Sequence, residues 1–395
     1  MVSLKGKTFS RITAGLSMNI IILAFVSFLT DTSSEMMLPL FPVFVTLVLA
    51  GSPLIFGLIE GIAESTASLL KVASGFWSDR LRRRRELVAA GYGVSSFSKL
   101  LFYFTVSWID FTSLRFLERV GKGIRDSPRD AIIFESTDPR TTGKAFGLHR
   151  AMDTAGAVLG PTLVIVLLPL LGGGMGEKIR TIFLIATIPA VIAFLTVFLV
   201  REKPVERAPP ESFKVSFSLI PRNLKLFILA ATTFEIGNFS VLFLVYRSSE
   251  LVNRLDAVVA LYLLFNISYA LLAFPVGALS DRIGKKPMIA YGYGLFIATF
   301  AGFMSASNIS HLMLLFLFFG FCMAILVGVQ RAYVADMSPK DLKATAMGTY
   351  HTFTGVAKFP ASLVAGFLWM FNPAYAFLYG IIMAIGGLLL LSRVR

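Results

Sequence analysis

The sequence predicts an all-α integral membrane protein of twelve spanning helices in two six-helix halves, and three observations predict it. The 395 residues are 56% hydrophobic and only 15% charged, with a mean hydropathy of +0.75, whereas a soluble chain carries about 25% charged residues. The apolar residues fall into runs of about 20, the length a helix needs to cross the hydrocarbon core. Finally, a short basic connection between two apolar runs, Gly75-Phe-Trp-Ser-Asp79-Arg80-Leu-Arg82-Arg83-Arg84-Arg85, returns about two hundred residues later as Gly277-Ala-Leu-Ser-Asp281-Arg282-Ile-Gly284-Lys285-Lys286. A long internal repeat signals a duplicated architecture, and the 37 phenylalanines suit lipid contact better than a water-facing surface.

The runs follow in order. The first, about 17–42, begins near Leu16 and continues past signal-peptide length, so it reads as a retained helix; Asp31 and Glu35 lie four apart on one of its faces. The second, 54–77, holds Glu60, Glu64 and Lys71 on one face, and the third, 87–106, holds Lys99 among Ser95, Ser96 and Ser98. The fourth, 111–130, is the densest in charge: Arg115, Glu118, Arg119, Lys122, Arg125, Asp126, Arg129 and Asp130 fall within an arc of roughly 140°, opposite an apolar face. The fifth, 146–170, carries Arg150 and Asp153, read as a mutual pair, and the sixth is 180–200. A polar connection from Arg201 to Arg222, rich in Pro, Glu and Lys, divides the spans six and six, giving bundles 1–200 and 223–395 with a 201–222 linker. The second half contributes 223–246 with Glu235 and Asn238, 257–279 with Asn266 and Tyr269, 288–306, 311–334, 345–370 with Lys358, and 373–392. Tyr246, Tyr262 and Tyr350 read as packing or interface aromatics.

Charge placement sets the orientation and excludes several function classes. Lys5, Lys7 and Arg11, the two basic connections, Arg129, Arg140, Lys144, the linker cations, Arg331, Lys340, Lys343, Arg393 and Arg395 all fall on one side, against Lys178, Arg180, Arg247 and Arg254 on the other. Lys/Arg-rich loops face the cytoplasm, so both termini are expected there, in a multi-pass protein of the cytoplasmic (inner) membrane. The net charge of +14 is then a topology signal, and nucleic acid is not an expected partner. One cysteine, Cys322, forms no internal disulfide, and His149, His311 and His351 are scattered without metal-ligand spacing. No phosphate-cradling Gly-x-x-x-x-Gly-Lys-Ser/Thr loop is present, nor a nucleophile–base set, so neither an enzyme nor a cofactor is expected.

Ionised groups facing lipid cost roughly 2.5–3.5 kcal/mol each, so the charges inside the spans must face one another or a shared wet cavity. Nearly all lie in the first half, Glu235 and Lys358 being the exceptions. Two close carboxylates in a low dielectric repel, which marks Asp31 and Glu35, together with Arg119, as proton-coupling candidates. Lys122, Arg125, Glu235, Asn238, Asn266 and Lys358 are the substrate-binding candidates. Arg115 reads as a mouth residue, and Glu60 as lying near the extracellular mouth with a gating or pairing role.

The two basic connections resemble the loop signature of the major facilitator superfamily, with Arg82 replacing the usual glycine that the second copy keeps as Gly284. The resemblance implies the twelve-helix fold of that family and a charge relay that locks the cytoplasmic side, its gating residues being Asp79, Arg80, Arg84, Asp281 and Arg282 with Asp126 as the helix-four acid. Arg119-Val-Gly-Lys-Gly123 is similar to a helix-four element of drug/proton antiporters, and Gly147, Gly156 and Gly160-Pro161 to their helix-five signature, without its closing Gly-Gly. The runs around Asp31 and Glu118 to Asp130 resemble a poorly characterised prokaryotic branch. The resemblance implies a secondary transporter of a small solute working by alternating access as a monomer, with protons as the coupling ion and efflux by antiport. Proton-coupled uptake of an organic anion or metal chelate is the alternative, and a non-transporting receptor or scaffold the remote one.

Overall fold

The computed structural model of the chain describes residues 15–81, 83–138, 141–202, 220–339 and 342–394, with the side chains of Asp79, Leu81 and Ala344 excluded. Most of the linker, Arg82 and the cations before Gly15 lie outside the described residues, as does the side-chain role expected of Asp79.

The described residues are helical almost throughout. The first set comprises α1 (Met18–Met37), α2 (Pro53–Leu81), α3 (Arg84–Leu101), α4 (Trp108–Glu135), α5 (Thr142–Leu167) and α6 (Met175–Val197). The second comprises α7, in two pieces Arg222–Gly237 and Leu242–Leu251, then α8 (Leu255–Ile283), α9 (Lys285–Met304), α10 (Ile309–Met337), α11 (Lys343–Trp369) and α12 (Pro373–Ser392). Ten of the helical stretches are long and apolar enough to cross a membrane. The ten exclude α4 and α11, although these run for 28 and 27 residues and pack among the others. In α4 the ionic face is the reason: its charges depress the mean hydropathy while leaving the length intact.

Local sequence explains the ends. A capping box starts α4, Ser107 Oγ accepting from Asp110 N at 3.2 Å while Asp110 Oδ2 accepts from Ser107 N at 3.0 Å. Asn372 caps α12, with Pro373 in its first turn. Gly284 joins α8 to α9 at φ +96°, a left-handed geometry that glycine adopts without a Cβ clash. Two elements depart from the sequence reading. Pro39 and Pro42 each remove a backbone donor, and α1 continues through a 3-10 turn at Leu38–Leu40 and a π turn at Phe44–Val48 instead of ending near residue 42. The run 223–246 is not one helix, because the chain leaves helical geometry over Asn238–Val241.

Asn19 contacts Ser136 and Arg201 at one end of the first set, and Lys286 contacts Val394 O at the corresponding end of the second, here the terminal-bearing end. There Glu202 accepts from the backbone N of Arg84 (2.8 Å) and of Arg85 (3.1 Å), capping α3, and Arg84 pairs with Glu135 of α4. The second set repeats this at the equivalent place, Lys285 of α9 pairing with Asp336 of α10 at 2.6 Å. The phenylalanines meet the lipid-contact expectation only in part, Phe97, Phe104, Phe274 and Phe371 being among those exposed while others fill the interior. Phe41, Phe44, Phe102, Phe111 and Phe183 form one buried cluster, and Phe234, Phe239, Phe243, Phe296, Phe300 and Phe377 another. Edge-to-face rings fill volume between helices that have little else to interdigitate.

The two sets meet along two seams. At the far end α2 crosses α11 so closely that a Cβ on Gly57 would stand 2.3 Å from Ser362 O. The second seam joins α5 to α8.

Candidate functional site

A cavity of about 350 Å³ lies between the two sets, bounded by both seams. Its first-set wall is ionic, carrying Asp31 and Glu35 from α1, Glu60 and Glu64 from α2, Arg115 and Arg119 from α4, and Arg150 and Asp153 from α5. Its second-set wall is aromatic and amide-rich, with Asn238, Phe239 and Ser240 from the break in α7, Tyr262, Phe265, Asn266 and Tyr269 from α8, Phe319 from α10 and Lys358 from α11. The fractional exposure of the lining side chains falls from 60% at Arg150 through 33% at Lys358 and 28% at Glu64 to 2% at Arg115 and 1% at Glu60. The cavity therefore opens toward the terminal-bearing end and is closed at the far end, where Arg115 and Glu60 form its floor. Neither stands at an open mouth, while the pairing role read for Glu60 is observed in its contact with Arg115.

Arg115 and Arg119 of α4 pair with acids of α2 and with Glu118 of their own helix, not with the acids of α1. Arg115 pairs with Glu60 (3.2 Å) and with Glu118 (2.9 Å), and its guanidinium lies 4.9 Å from the Phe41 ring centre. Arg119 pairs with Glu64 at 3.4 Å and Glu118 at 3.3 Å. Glu64 also binds Lys358 of the second set at 3.1 Å, so one carboxylate ties α4, α2 and α11 together. Glu60 reaches across as well, accepting from Ser240 Oγ at 2.9 Å. Each acid offers several lone-pair sites, which lets α2 satisfy cations on both flanks.

The α1 acids are arranged differently. Two glycines of the helix-five signature bring α5 against them: a Cβ on Gly156 would lie 3.0 Å from Asp31 Cβ, and one on Gly160 would lie 2.8 Å from Glu35 Cβ and 2.6 Å from Thr32 O. Gly147, the third, faces open space. Glu35 Oε2 accepts from Tyr262 Oη at 2.8 Å and Asn266 Nδ2 at 3.2 Å, and Asn266 also donates to Ala157 O at 3.1 Å. Among the described residues neither Asp31 nor Glu35 has a Lys or Arg nitrogen within 4.0 Å. On the other side of α1, the buried Lys99 donates to Ser33 Oγ (2.9 Å), Ser34 Oγ (2.8 Å) and Thr30 O (3.4 Å), which fixes the rotation of the helix.

The remaining candidates are dispersed. Asn238 lines the cavity and donates to Glu235 at 3.3 Å, and Glu235 stands behind it, off the lining. Lys122 and Arg125 are off the lining too, Arg125 being buried with its guanidinium 4.5 Å from the Tyr92 ring centre. Of the gating candidates, Arg80 and Arg282 are exposed and Asp281 pairs with Lys285 at 3.3 Å. The α4 acid that Arg84 meets is Glu135, while Asp126 pairs with Arg129 (3.8 Å) and Lys71 (4.0 Å). Sequence reasoning missed Tyr262, classed as packing, and Phe239 and Ser240, exposed to the cavity by a helix break. The signal for the break was Gly237-Asn238 inside an apolar run, a pair that weakens a helix interior.

An all-helical membrane protein with a polar cavity between two helix sets is the architecture of a solute carrier. The family model for the Major Facilitator Superfamily matches residues 23–250 and 226–395, and the chain belongs to that superfamily. It is 42% identical over 383 residues to an uncharacterised MFS-type transporter of Methanocaldococcus jannaschii, covering 95% of each chain. It is 26% identical to a cis,cis-muconate transport protein of Acinetobacter baylyi (79% of this chain, 78% of the relative) and 25% identical to the multi-drug resistance efflux pump PmrA of Streptococcus pneumoniae (82% of each). Among solved structures, the fold matches a crystal structure of the nucleoside transporter NupG with a TM-score of 0.79 at 13% identity, covering 94% of this chain and 99% of that one.

Proposed function

We propose that the chain is a proton-coupled exporter of a small organic solute, with twelve spans in two six-helix bundles (1–200 and 223–395, linked by 201–222), both termini in the cytoplasm and the cavity facing the cytoplasm. The Lys/Arg asymmetry supports that orientation, and the named efflux relative supports the direction. The observation that carries the reading is Glu35. Its acceptor oxygen takes two hydrogen bonds from the opposite set, with no Lys or Arg nitrogen of the described residues within 4.0 Å. A proton placed on that oxygen removes an acceptor, weakens the contact between α1 and α8, and so shifts the population between the two access states. Asp31, one turn away on the same wall, shares the proton, while Arg119 is held by Glu64 and Glu118 and shapes the field.

The four cations on the lining face five acids, so the cavity is not the strongly basic chamber that anion uptake requires. The muconate relative is the observation that favours that second reading. Proteoliposomes with an imposed pH gradient separate the two, with ethidium and cis,cis-muconate as probes. Export predicts probe movement against the proton flow, and uptake predicts movement with it. Glu35→Gln and Asp31→Asn are expected to abolish gradient-driven movement while membrane insertion is retained. Wild-type driving rates in both variants would remove these acids from the coupling site.

A further inference from the structure

On α5, three residues follow one another around a helical turn beside the cavity, and the proposed coupling scheme leaves them unused. Asp153 lines the cavity next to α1, and its Oδ1 is buried without a hydrogen-bond partner. Its Oδ2 lies 3.5 Å from Nδ1 of His149, one turn nearer the terminal-bearing end. His149 is 5% exposed, and its Nε2 is likewise buried without a partner. Arg150, which the sequence pairs with Asp153, is 3.9 Å from it and instead donates to Tyr269 Oη at 2.5 Å.

The surroundings give the arrangement a direction. From α1, Asp31 stands within electrostatic reach of Asp153. From α4, Arg129, Asp126 and Asp130 act on His149 from the terminal side. Arg129 is tied to Asp130 at 3.0 Å and to Ser27 Oγ of α1 at 3.3 Å, and Asp130, 38% exposed, reaches solvent. From α8 the facing groups are Tyr262 and Tyr269.

We propose that Asp153 and His149 form a side exit for the coupling proton, leading from Asp31 to the Asp126–Arg129–Asp130 cluster. The proposal rests on the antiport reading and specifies how the proton leaves. The Asp31 carboxyl protonates the Asp153 carboxylate across the cavity they share, and Asp153 passes the proton to Nδ1 of His149. The imidazolium then loses its Nε2 proton toward the α4 carboxylates, which leaves a neutral ring in the other tautomer and Asp153 ionised again. Transfer of the Nδ1 hydrogen to Nε2 through water restores the first tautomer and resets the path. A histidine with one nitrogen at a carboxylate and the other free suits such a transfer. The device is useful in an exporter because the solute enters by the mouth through which the proton must otherwise leave.

The test compares wild type with His149→Asn and His149→Gln in proteoliposomes, following ethidium and cis,cis-muconate in two modes. These are movement driven by a pH gradient, and counterflow against the same unlabelled solute with no gradient. Gradient-driven movement should fall on the order of tenfold or more, with counterflow kept, and His149→Asn should add nothing in an Asp153→Asn background. Equal loss in both modes makes His149 structural and overturns the relay, and so do unchanged rates in both. A wild-type protein that moves neither probe against a proton gradient overturns the antiport reading, and the relay with it.

Discussion

Arg115→Met should cost the folded protein about 3–5 kcal/mol, the range expected when one partner of a buried ion pair is removed. Arg115 is among the largest fully buried side chains, and its guanidinium faces Glu60, Glu118 and the Phe41 ring. Methionine fills much of the volume but leaves Glu60 without its cation and Glu118 with Arg119 alone. Adding Glu60→Gln should return part of the loss, because the stranded charge is then gone. Thermal unfolding of the three proteins in one detergent checks both parts. An unchanged melting temperature for Arg115→Met would mean that the floor is held by its aromatic contacts alone.

Gly57→Val is expected to move the conformational equilibrium without greatly weakening either helix set. The added carbons point at Ser362 O and Gly366 Cα across the α2–α11 seam. Neither backbone atom can retreat as a flexible side chain would, so the far end must part. A bias of about 1.4 kcal/mol changes the ratio of states tenfold, and overpacking commonly costs 1–3 kcal/mol. Ser240→Cys behind the closed seam supplies the readout, native Cys322 being buried. Its labelling by a membrane-impermeant thiol reagent added at the far end should rise by about an order of magnitude when Gly57→Val is present. Equal labelling with and without the substitution would show that this seam is not what closes the far end.

The sequence displayed the charges of the site plainly, because an ionised residue in an apolar run has few places to go. Asp31, Glu35, Arg119, Asn266 and Lys358 all reach the cavity. It did not display their partners. Helical periodicity shows that Glu60 and Glu64 share a face and that the α4 charges share another. It does not say which neighbouring helix each face meets, so α2 rather than α1 emerged as the counter-ion helix only from the packing. Arg125 shows the same limit: its position on the ionic arc was legible, but the aromatic ring of Tyr92 that draws it off the cavity belongs to another helix. The break at Asn238–Val241 was the other gap. A two-residue hint inside an apolar run is outweighed by the run itself until the cavity is seen to take the four residues it releases.

The ion pairs at the terminal-bearing end, Arg84 with Glu135 and Lys285 with Asp336, each join neighbours within one helix set. They brace the two bodies separately and do not bolt one to the other. A pair that does cross between the sets, Glu64 with Lys358, lies deeper in the cavity, so a charged tie from the first body to the second sits at the chamber wall and not at its open rim.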